Sequence, residues 1–376
     1  MRETYKLRIY PTKEQERRLL ETLETCRRLY NHLLALWRDK EKIPGRLELQ
    51  AKLPLLKEEV PELRKVYSKT LQMVLYQLYS NLRTLAQLKK KGKKVGRLRF
   101  KGKGWFKTFT YNQSGFKIIR TGKRLDTLRL SKIGDIPVII HREIEGEIKQ
   151  VIIKKYPSGE WYACISTEKE EIKERKPVEK AIGIDVGIKH FLTDSEGRQV
   201  ENPKFYKKSL ERQRIEHKKL SKKKKGSNNR DKQRVKLAKS YEKIERQRDD
   251  FLHKLSKFYV DNYDLIAVED LNIKGMVRNR NLAGKILDAS WGKFLRMLSY
   301  KAENTGKIVK KVNPRKTSKE YKYGEIDRDY NASLNILERG LSGQGMPFVP
   351  VEMRPLLVIP ASLIVEAGTR CLRLQS

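Results

Sequence analysis

Acidic residues stand at the ends of predicted secondary-structure elements, where they could serve metal-dependent chemistry. Asp185 and Glu269 each end a predicted buried strand, and Asp329 belongs to an Asp-Arg-Asp sequence with Asp327 just before the last predicted helix. Three clustered carboxylates stay ionised together only if a cation neutralises them. Two Mg²⁺ ions held there could activate a water and stabilise the leaving oxygen of a cleaved phosphodiester. This arrangement suggests a metal site.

Each of these acidic residues also has a structural interpretation. A lone Asp after a buried strand is usually a turn or cap residue, and Asp-Arg-Asp before a helix is a reasonable N-cap. For any single position, the structural interpretation is the better one. For Asp185, Glu269 and Asp329 together, in the right order on one predicted fold and in a strongly basic chain, we favour the metal site.

The elements that must position these residues divide the chain into domains. Residues 1–12 and 96–178 contain short alternating segments separated by glycine and proline, which predict a β-barrel or antiparallel sheet. Residues 13–95 carry apolar residues at steps of three and four, which predict an inserted helical bundle. Residues 179–340 give three strands followed by alternating helices and strands, the order of a ribonuclease H-like α/β domain. We expect the tail, 341–376, to be flexible, although its apolar stretch could dock.

Charge indicates the class of partner. The chain has 85 Lys and Arg against 46 Asp and Glu, a net charge of +39 over 376 residues. Counterion release makes a polyanion the natural partner, and an ordinary metabolic enzyme has no use for such a field. No apolar run could span a bilayer and the N-terminus lacks an apolar signal segment, so we expect no membrane partner. The widely spaced Cys26, Cys164 and Cys371 predict reduced thiols in a cytoplasmic protein and no disulfide framework.

A dense basic run opens the predicted helical hairpin 207–258. Ten of the nineteen residues from 207 to 225 are Lys or Arg. Like charges at helical spacing destabilise an isolated helix, and a polyphosphate would relieve that repulsion. The alternative is a solvated helix face, but the charge of the whole chain favours nucleic acid. The residues predicted to bind RNA are Lys207, Lys208, Arg212, Lys222, Lys223, Lys224 and Lys225.

Aromatic residues are interleaved with lysines in the predicted barrel. Such rings can stack on bases when they are exposed beside a basic groove. We expect most of them to belong to the barrel core and only some to reach nucleic acid. The aromatic residues concerned are Trp105, Phe106, Phe109 and Tyr111, among Lys101, Lys103 and Lys107.

Six motifs together resemble the TnpB family, the transposon-encoded relatives of the type V CRISPR nucleases. The resemblance covers about residues 1–340. Each motif alone is weak, but the set is highly specific. The motifs are AIGIDVGIK at 181–189, NPKFY at 202–206, RDDFLHKL at 248–255, VEDLNIKGM at 268–276, DASWGKF at 288–294 and DRDYNAS at 327–333.

The resemblance implies an RNA-guided, Mg²⁺-dependent DNA endonuclease. It implies a multidomain α/β fold: a RuvC-like nuclease domain plus a wedge-type β-barrel with an inserted helical recognition bundle. The implied partners are a guide RNA from the transposon end and double-stranded target DNA, with one protein favoured per RNA. Asp185, Glu269 and Asp329 match the family's catalytic acids, and Asp329 is a better match than Asp327. The residues implied to contact DNA beside the target are Gln72 and, with weaker support, Lys69 and Thr108.

One departure from the family pattern is large. The family usually carries a zinc ribbon with two CxxC pairs before the Asp-Arg-Asp sequence, whereas residues 317–327 contain no cysteine. We therefore expect no zinc. The missing ribbon leaves open an RNA-guided DNA-binding protein with weak or no cleavage, while the intact acidic triad favours the nuclease. A strand-joining transposase is a weaker alternative, because no Tyr or Ser recombinase pattern is evident.

Overall fold

The fold was obtained as a computed structural model that describes residues 2–38, 45–122, 124–170, 177–320, 326–342 and 355–367. The chain divides into two compact units, 1–170 and 171–376, and each is described by itself. Across the described ranges, no helix combines the length and the apolar character that crossing a membrane requires. Three regions named above lie partly outside the described residues: 171–176 at the end of the predicted barrel, 321–325 in the cysteine-free stretch, and 343–354 and 368–376 in the tail.

A seven-stranded antiparallel sheet forms the first unit's core. Its strands are β1 (Arg2–Ile9), β2 (Thr108–Asn112), β3 (Phe116–Ile119), β4 (Asp126–Leu130), β5 (Gly134–Val138), β6 (Glu147–Lys155) and β7 (Trp161–Glu168). They lie in the order β2-β6-β7-β1-β5-β4-β3. The N-terminal strand is therefore central, and its alternating Tyr5, Leu7 and Ile9 are buried. We expected a short strand at 98–100 as one of the alternating segments of the predicted barrel, but these residues form none.

Between β1 and β2 the chain forms helices. They are α1 (Lys13–Arg38), α2 (Arg46–Ala51), α3 (Leu53–Glu59) and α4 (Ser68–Lys90), with a 3₁₀ turn at Pro61–Lys65. Leu19, Leu23, Cys26 and Tyr30 recur at steps of three and four along α1 and are all buried, so α1 turns one apolar face to the core. The same core includes buried residues of α4 and of the sheet.

A six-stranded mixed sheet organises the second unit. Its strands are β8 (Ala181–Val186), β9 (His190–Asp194), β10 (Arg198–Glu201), β11 (Leu265–Glu269), β12 (Ile308–Val312) and β13 (Leu357–Ile359). They lie in the order β12-β11-β8-β9-β10-β13, with β8, β9 and β10 antiparallel and β8, β11 and β12 parallel. The predicted α/β class and the order of its elements from 179 to 340 are confirmed.

The helices of the second unit follow these strands. They are α5 (Phe205–Ser221), α6 (Asn228–Asn262), α7 (Ile273–Met276), α8 (Arg280–Ala289), α9 (Trp291–Glu303), α10 (Arg328–Leu341) and α11 (Ala361–Ala367). The helices α5 and α6 form the predicted basic hairpin and connect β10 to β11. Buried residues of α6 and α9 share one core with β8 and β9.

Part of the C-terminal tail is docked, so the expectation of flexibility is wrong for residues 357–367. The strand β13 pairs in parallel with β10 from Arg198–Leu357 to Val200–Ile359. Helix α11 follows and packs on α6, where the Lys254 ammonium donates a hydrogen bond to the Val365 carbonyl at 2.7 Å. The physical reason is apolar burial, because Ile359 and Ile364 are almost completely removed from water.

Candidate active site

Two of the predicted acidic residues occupy equivalent positions on neighbouring parallel strands. The pairing of β8 with β11 places Ile184 opposite Val268, so Asp185 and Glu269 are the next residues on each strand. Neighbouring strands lie about 4.8 Å apart. The register therefore brings both carboxylates to one edge of the sheet.

A close approach of α10 to the sheet places the third acidic residue. A Cβ at Gly183 of β8 would lie 2.1 Å from the Ser333 carbonyl oxygen of α10, so only glycine permits this packing. Asp329 lies in the first turn of α10. A Cβ at Gly187 would lie 3.9 Å from Asp329 Oδ2, which places this carboxylate beside the end of β8.

The environment of Asp185 disfavours its charged form. Burial of the carboxyl group, followed by the negative charges of Glu269 and Asp329, raises the pKa of Asp185 to about 7. The positive charge of Arg328 and a hydrogen bond from the Val186 amide act in the opposite direction. The Asp185 residue as a whole is partly exposed, but its carboxyl group lies among protein atoms. A cation bound nearby would therefore stabilise the charged form of Asp185.

Asp327 has the structural role that was considered for it. As the N-cap of α10, its side chain accepts hydrogen bonds from the backbone amides of Asp329 and Tyr330 at 3.0 and 3.1 Å. Its Oδ1 also accepts a hydrogen bond from the Gln199 amide at 3.2 Å. Asp329 is therefore the member of the pair left to face Asp185.

Thr317 holds the carboxylate of Glu269. The Thr317 hydroxyl donates a hydrogen bond to Glu269 Oε1 and also contacts the Pro314 carbonyl oxygen at 3.1 Å. Burial raises the pKa of Glu269, while this hydrogen bond and the positive charge of Arg339 oppose the rise. Thr317 is itself buried. It fixes the orientation of one predicted metal ligand.

Polar side chains of α10 fasten the loop that carries Thr317. Asn335 Nδ2 donates to the carbonyl oxygens of Thr317 and Glu320, both at 2.8 Å, and Asn331 Nδ2 donates to Glu320 at 2.9 Å. Arg339 donates to two more loop carbonyls and to the Glu320 carboxylate. These residues were missed from the sequence. The available signal was polar residues at four-residue steps on a helix that is otherwise apolar.

The chemistry of the donor set fits Mg²⁺. Three carboxylates supply the oxygen ligands that this ion prefers, and their mutual repulsion calls for a cation. As placed, no three acidic, His or Cys side chains within the described ranges are close enough to hold one ion together. Asp185, Glu269 and Asp329 stay the predicted Mg²⁺ ligands, although as placed they do not form one closed cluster.

The residues predicted to contact DNA lie on two facing elements of the first unit. Lys69 and Gln72 belong to α4 and Thr108 begins β2, which packs against α4. Lys69 Nζ donates to Gln113 Oε1 at 3.4 Å. A cavity of about 450 Å³ between the two elements has Thr108 in its wall. Neither Lys69 nor Gln72 lines that cavity, so the three predicted residues share two packed elements but not one pocket.

The predicted RNA-binding residues lie along the hairpin and at its tip. Lys207, Lys208 and Arg212 are exposed on α5, and residues 222–225 form the connection to α6. Arg230 fixes that connection by donating to the carbonyl oxygens of Leu220 and Lys223 at 2.8 and 2.9 Å. Farther along, a groove of about 470 Å³ is lined by Arg212 and by the basic residues Lys236, Lys239 and Lys243. The hairpin is a basic surface on a defined backbone.

Family models match three parts of the chain. The model OrfB_IS605, described as "Probable transposase", matches residues 164–280, and the model described as "Cas12f1-like, TNB domain" matches 291–336. A model described as "Helix-turn-helix domain" matches 1–42, where the described residues form β1 and α1. A protein of Streptomyces pristinaespiralis named "Putative RNA-guided DNA endonuclease" is 28% identical over 373 residues, covering 91% of this chain and 90% of that protein. These matches support the interpretation of this chain as a TnpB family member.

Further comparisons agree with the TnpB assignment. An Escherichia coli (strain K12) protein named "Putative RNA-guided DNA endonuclease InsQ" is 30% identical over 240 residues, covering 60% of this chain and 58% of that protein. The chain from the "Cryo-EM structure of the Cas12f1-sgRNA-target DNA complex" shares the fold, with a TM-score of 0.50 and 12% identity, covering 89% of this chain and 98% of that one. The segment of this chain matched by the TNB model contains no cysteine.

Proposed function

We propose that this chain is an RNA-guided DNA endonuclease whose second unit is a RuvC-like nuclease domain that acts with two Mg²⁺ ions. The observation that carries the proposal is the convergence of Asp185, Glu269 and Asp329 at one sheet edge in a chain of charge +39. The names of the two relatives and the shared fold support it.

The chain's own residues would prepare the reaction. When bound, Mg²⁺ supplies Lewis-acid activation of a water and stabilisation of the leaving oxygen in phosphodiester cleavage. The metal would be held by Asp185, Glu269 and Asp329. The Thr317 hydroxyl would keep the carboxylate of Glu269 in a fixed orientation. The N-terminus of α10 adds a positive dipole end near the negative charge of a phosphate.

The two partners would be a guide RNA and double-stranded DNA. In guided recognition, base pairing supplies most of the sequence specificity and the protein reads backbone shape and a short adjacent motif. Lys69, Gln72 and Thr108 would contact the adjacent DNA, because they lie on the facing elements α4 and β2. The basic hairpin would contact RNA phosphates. We expect one protein per RNA and a location at the nucleoid of a prokaryote.

A guide-programmed cleavage assay tests the proposal. The protein is co-produced with its transposon-end RNA, and cleavage of matched DNA is measured with Mg²⁺ and with EDTA. Asp185→Ala should abolish cleavage while RNA still co-purifies. Asp270→Ala is the matched control, since Asp270 follows Glu269 but is exposed and pairs with Lys311 at 3.4 Å. Full cleavage by Asp185→Ala would contradict the assigned site.

The absence of cysteine from 291–336 favours a second candidate function, an RNA-guided DNA-binding protein with weak or no cleavage. The same assay separates the two functions if binding of matched DNA is measured in parallel. Guide-dependent binding without products would support the second function. Products that appear only with matched DNA and Mg²⁺ would support the first. Joined strands formed from transposon ends would instead indicate a transposase.

A further inference from the structure

Trp105 differs from the other aromatic residues in its segment and from the other tryptophans. Its side chain is 64% exposed, whereas the neighbouring Phe106 is buried in the core of the first unit. All four tryptophans of the chain lie in described parts, and Trp37, Trp161 and Trp291 are buried. Burial thus explains the other three but gives no reason for a large ring at position 105.

The backbone that presents Trp105 is fixed on α1. Asn31 accepts a hydrogen bond from the Lys101 amide at 2.7 Å and donates to the Lys101 carbonyl oxygen at 3.0 Å. The Arg27 guanidinium donates to that same carbonyl oxygen at 2.7 Å. On the other side, the buried Phe106 packs edge-on against Tyr30 with ring centroids 5.8 Å apart. The exposed ring is therefore held between two anchored residues.

A tight turn between these anchors directs the ring outward. The Trp105 amide donates to the Gly102 carbonyl oxygen at 3.1 Å, which closes a four-residue turn. Gly104, at the third position, has a φ of +71°, a conformation that type II turns require and that favours glycine. An exposed aromatic ring on such a fixed turn loses little conformational freedom when it binds a flat partner.

The electrostatic surroundings of Trp105 are entirely basic in sequence. Ten of the nineteen residues from 89 to 107 are Lys or Arg, and none is Asp or Glu. The Lys101 ammonium lies 4.8 Å from the Trp105 ring centroid, while Lys103 and Lys107 are exposed on either side of it. A basic surface that follows a phosphate backbone and carries an exposed aromatic ring is the usual composition of a single-strand binding site.

We propose that Trp105 stacks on an unpaired nucleobase while Lys103 and Lys107 contact the flanking phosphates. The inference deepens the proposed function and rests on it in taking nucleic acid as the partner. Because every base has a π-face, the site would tolerate any sequence and would require only that the base be unpaired. Both RNA and DNA carry this chemistry, so the test includes a strand of each kind.

Fluorescence of the full-length protein reports directly on Trp105, because this tryptophan alone is exposed. Short single strands of RNA and DNA are titrated against the protein, together with an abasic DNA strand that has the same number of phosphates. Base-bearing strands should quench the tryptophan emission and protect the Trp105 ring from quenching by acrylamide. The abasic strand should have neither effect. Trp105→Leu should weaken binding of base-bearing strands about tenfold, and Trp105→Tyr should recover most of the loss.

Lys103→Ala is the matched control, because it removes a phosphate contact and leaves the ring. This substitution should weaken the binding of all strands alike, including the abasic one. It should also reduce the slope of log affinity against log salt by about 1. Equal affinity for base-bearing and abasic strands, unaffected by Trp105→Leu, would overturn the proposal. The strand used by the guided complex is the one, RNA or DNA, whose affinity Trp105→Leu lowers.

Loss of the proposed function would look different from loss of the stacking site. If guided cleavage fails but Trp105 is still quenched by bases, the nuclease proposal fails and the stacking site stands. If guided cleavage succeeds while Trp105 remains open to acrylamide in the complex with RNA and DNA, the stacking proposal alone is wrong.

Discussion

The hydroxyl of Thr317 donates a hydrogen bond to the carboxylate of Glu269, 48 residues earlier in the chain. Thr317 lies in the loop after β12, and Asn335 and Arg339 of α10 hold that loop through its carbonyl oxygens. The same helix carries Asp329 at its N-terminal end. One helix therefore both supplies a predicted metal ligand and steadies the group that orients another.

Replacing Thr317 with Val tests this relationship. Valine has nearly the shape of threonine but cannot donate a hydrogen bond, so the buried carboxylate of Glu269 loses a partner that is worth about 1–2 kcal/mol. We expect cleavage to fall about tenfold and the Mg²⁺ concentration for half-maximal rate to rise. Thr317→Ser keeps the hydroxyl and should retain most activity. Equal Mg²⁺ dependence in the Val variant and the wild type would show that the hydrogen bond is irrelevant.

Gly183 should be the least replaceable glycine of the second unit. An alanine Cβ there would lie 2.1 Å from the Ser333 carbonyl oxygen, so α10 must move away from β8. We expect Gly183→Ala to destabilise the protein by about 3 kcal/mol and to abolish cleavage, as measured by thermal unfolding and by the guided assay.

Gly284→Ala is the control for that substitution. Gly284 lies within α8, and nothing stands within 4 Å of the position a Cβ would take. Alanine also favours the helix by about 1 kcal/mol over glycine. The control should be neutral or slightly stabilising, and equal effects of the two substitutions would contradict the assigned close packing.

Asp185 should destabilise the metal-free protein increasingly as pH rises. Its folded-state pKa is raised to about 7, against about 3.9 in an unfolded chain, so between these values the folded state retains a proton that the unfolded state releases. The contribution of Asp185 to stability is therefore largest below about pH 4, decreases as pH rises to about 7 and then stays level.

Asp185→Asn removes this titration. In EDTA, the Tm advantage of the Asn variant over the wild type should be larger at about pH 8 than at about pH 5, by several degrees. Thermal unfolding of both proteins at the two pH values checks the expectation. An equal difference in Tm between the two proteins at both pH values would show that the surroundings do not disfavour the charged form of Asp185.

The four lysines at the hairpin tip should act through charge alone. Replacing Lys222, Lys223, Lys224 and Lys225 with Gln should weaken RNA binding and reduce the salt slope by up to about 3 if every ammonium contacts a phosphate. The fourfold Arg variant preserves charge and should bind like the wild type. Filter binding over a range of salt concentrations measures the RNA affinity and its salt slope for each variant. An unchanged slope in the Gln variant would show that RNA binds away from the hairpin tip.

The positions of the predicted site residues could be inferred from the sequence where they depend on strand order. Asp185 and Glu269 end apolar runs, and the register of adjacent parallel strands then brings them together. The choice of Asp329 over Asp327 is supported by cap geometry, in which Asp327 bonds the helix amides. Thr317 could not be identified, because its partner lies across a loop whose path is set by α10.

Sequence patterns likewise could not predict which side chains in loops are buried. Trp105 and Phe106 are adjacent and similar in character, yet one is exposed and the other is buried, because the turn from Gly102 is anchored on α1. The docking of 357–367 stayed only an alternative to a flexible tail for a related reason. A three-residue strand such as β13 gives too short a pattern to distinguish it from a loop.

The strand β13 also has a consequence for how copies of this protein behave in solution. Without Leu357–Ile359, the outer edge of β10 would expose unpaired amides and carbonyls, which can template pairing with a strand from another molecule. The tail thus covers the edge of β10 and opposes aggregation through that edge. Variants truncated before residue 355 should therefore self-associate even where their cleavage activity is intact.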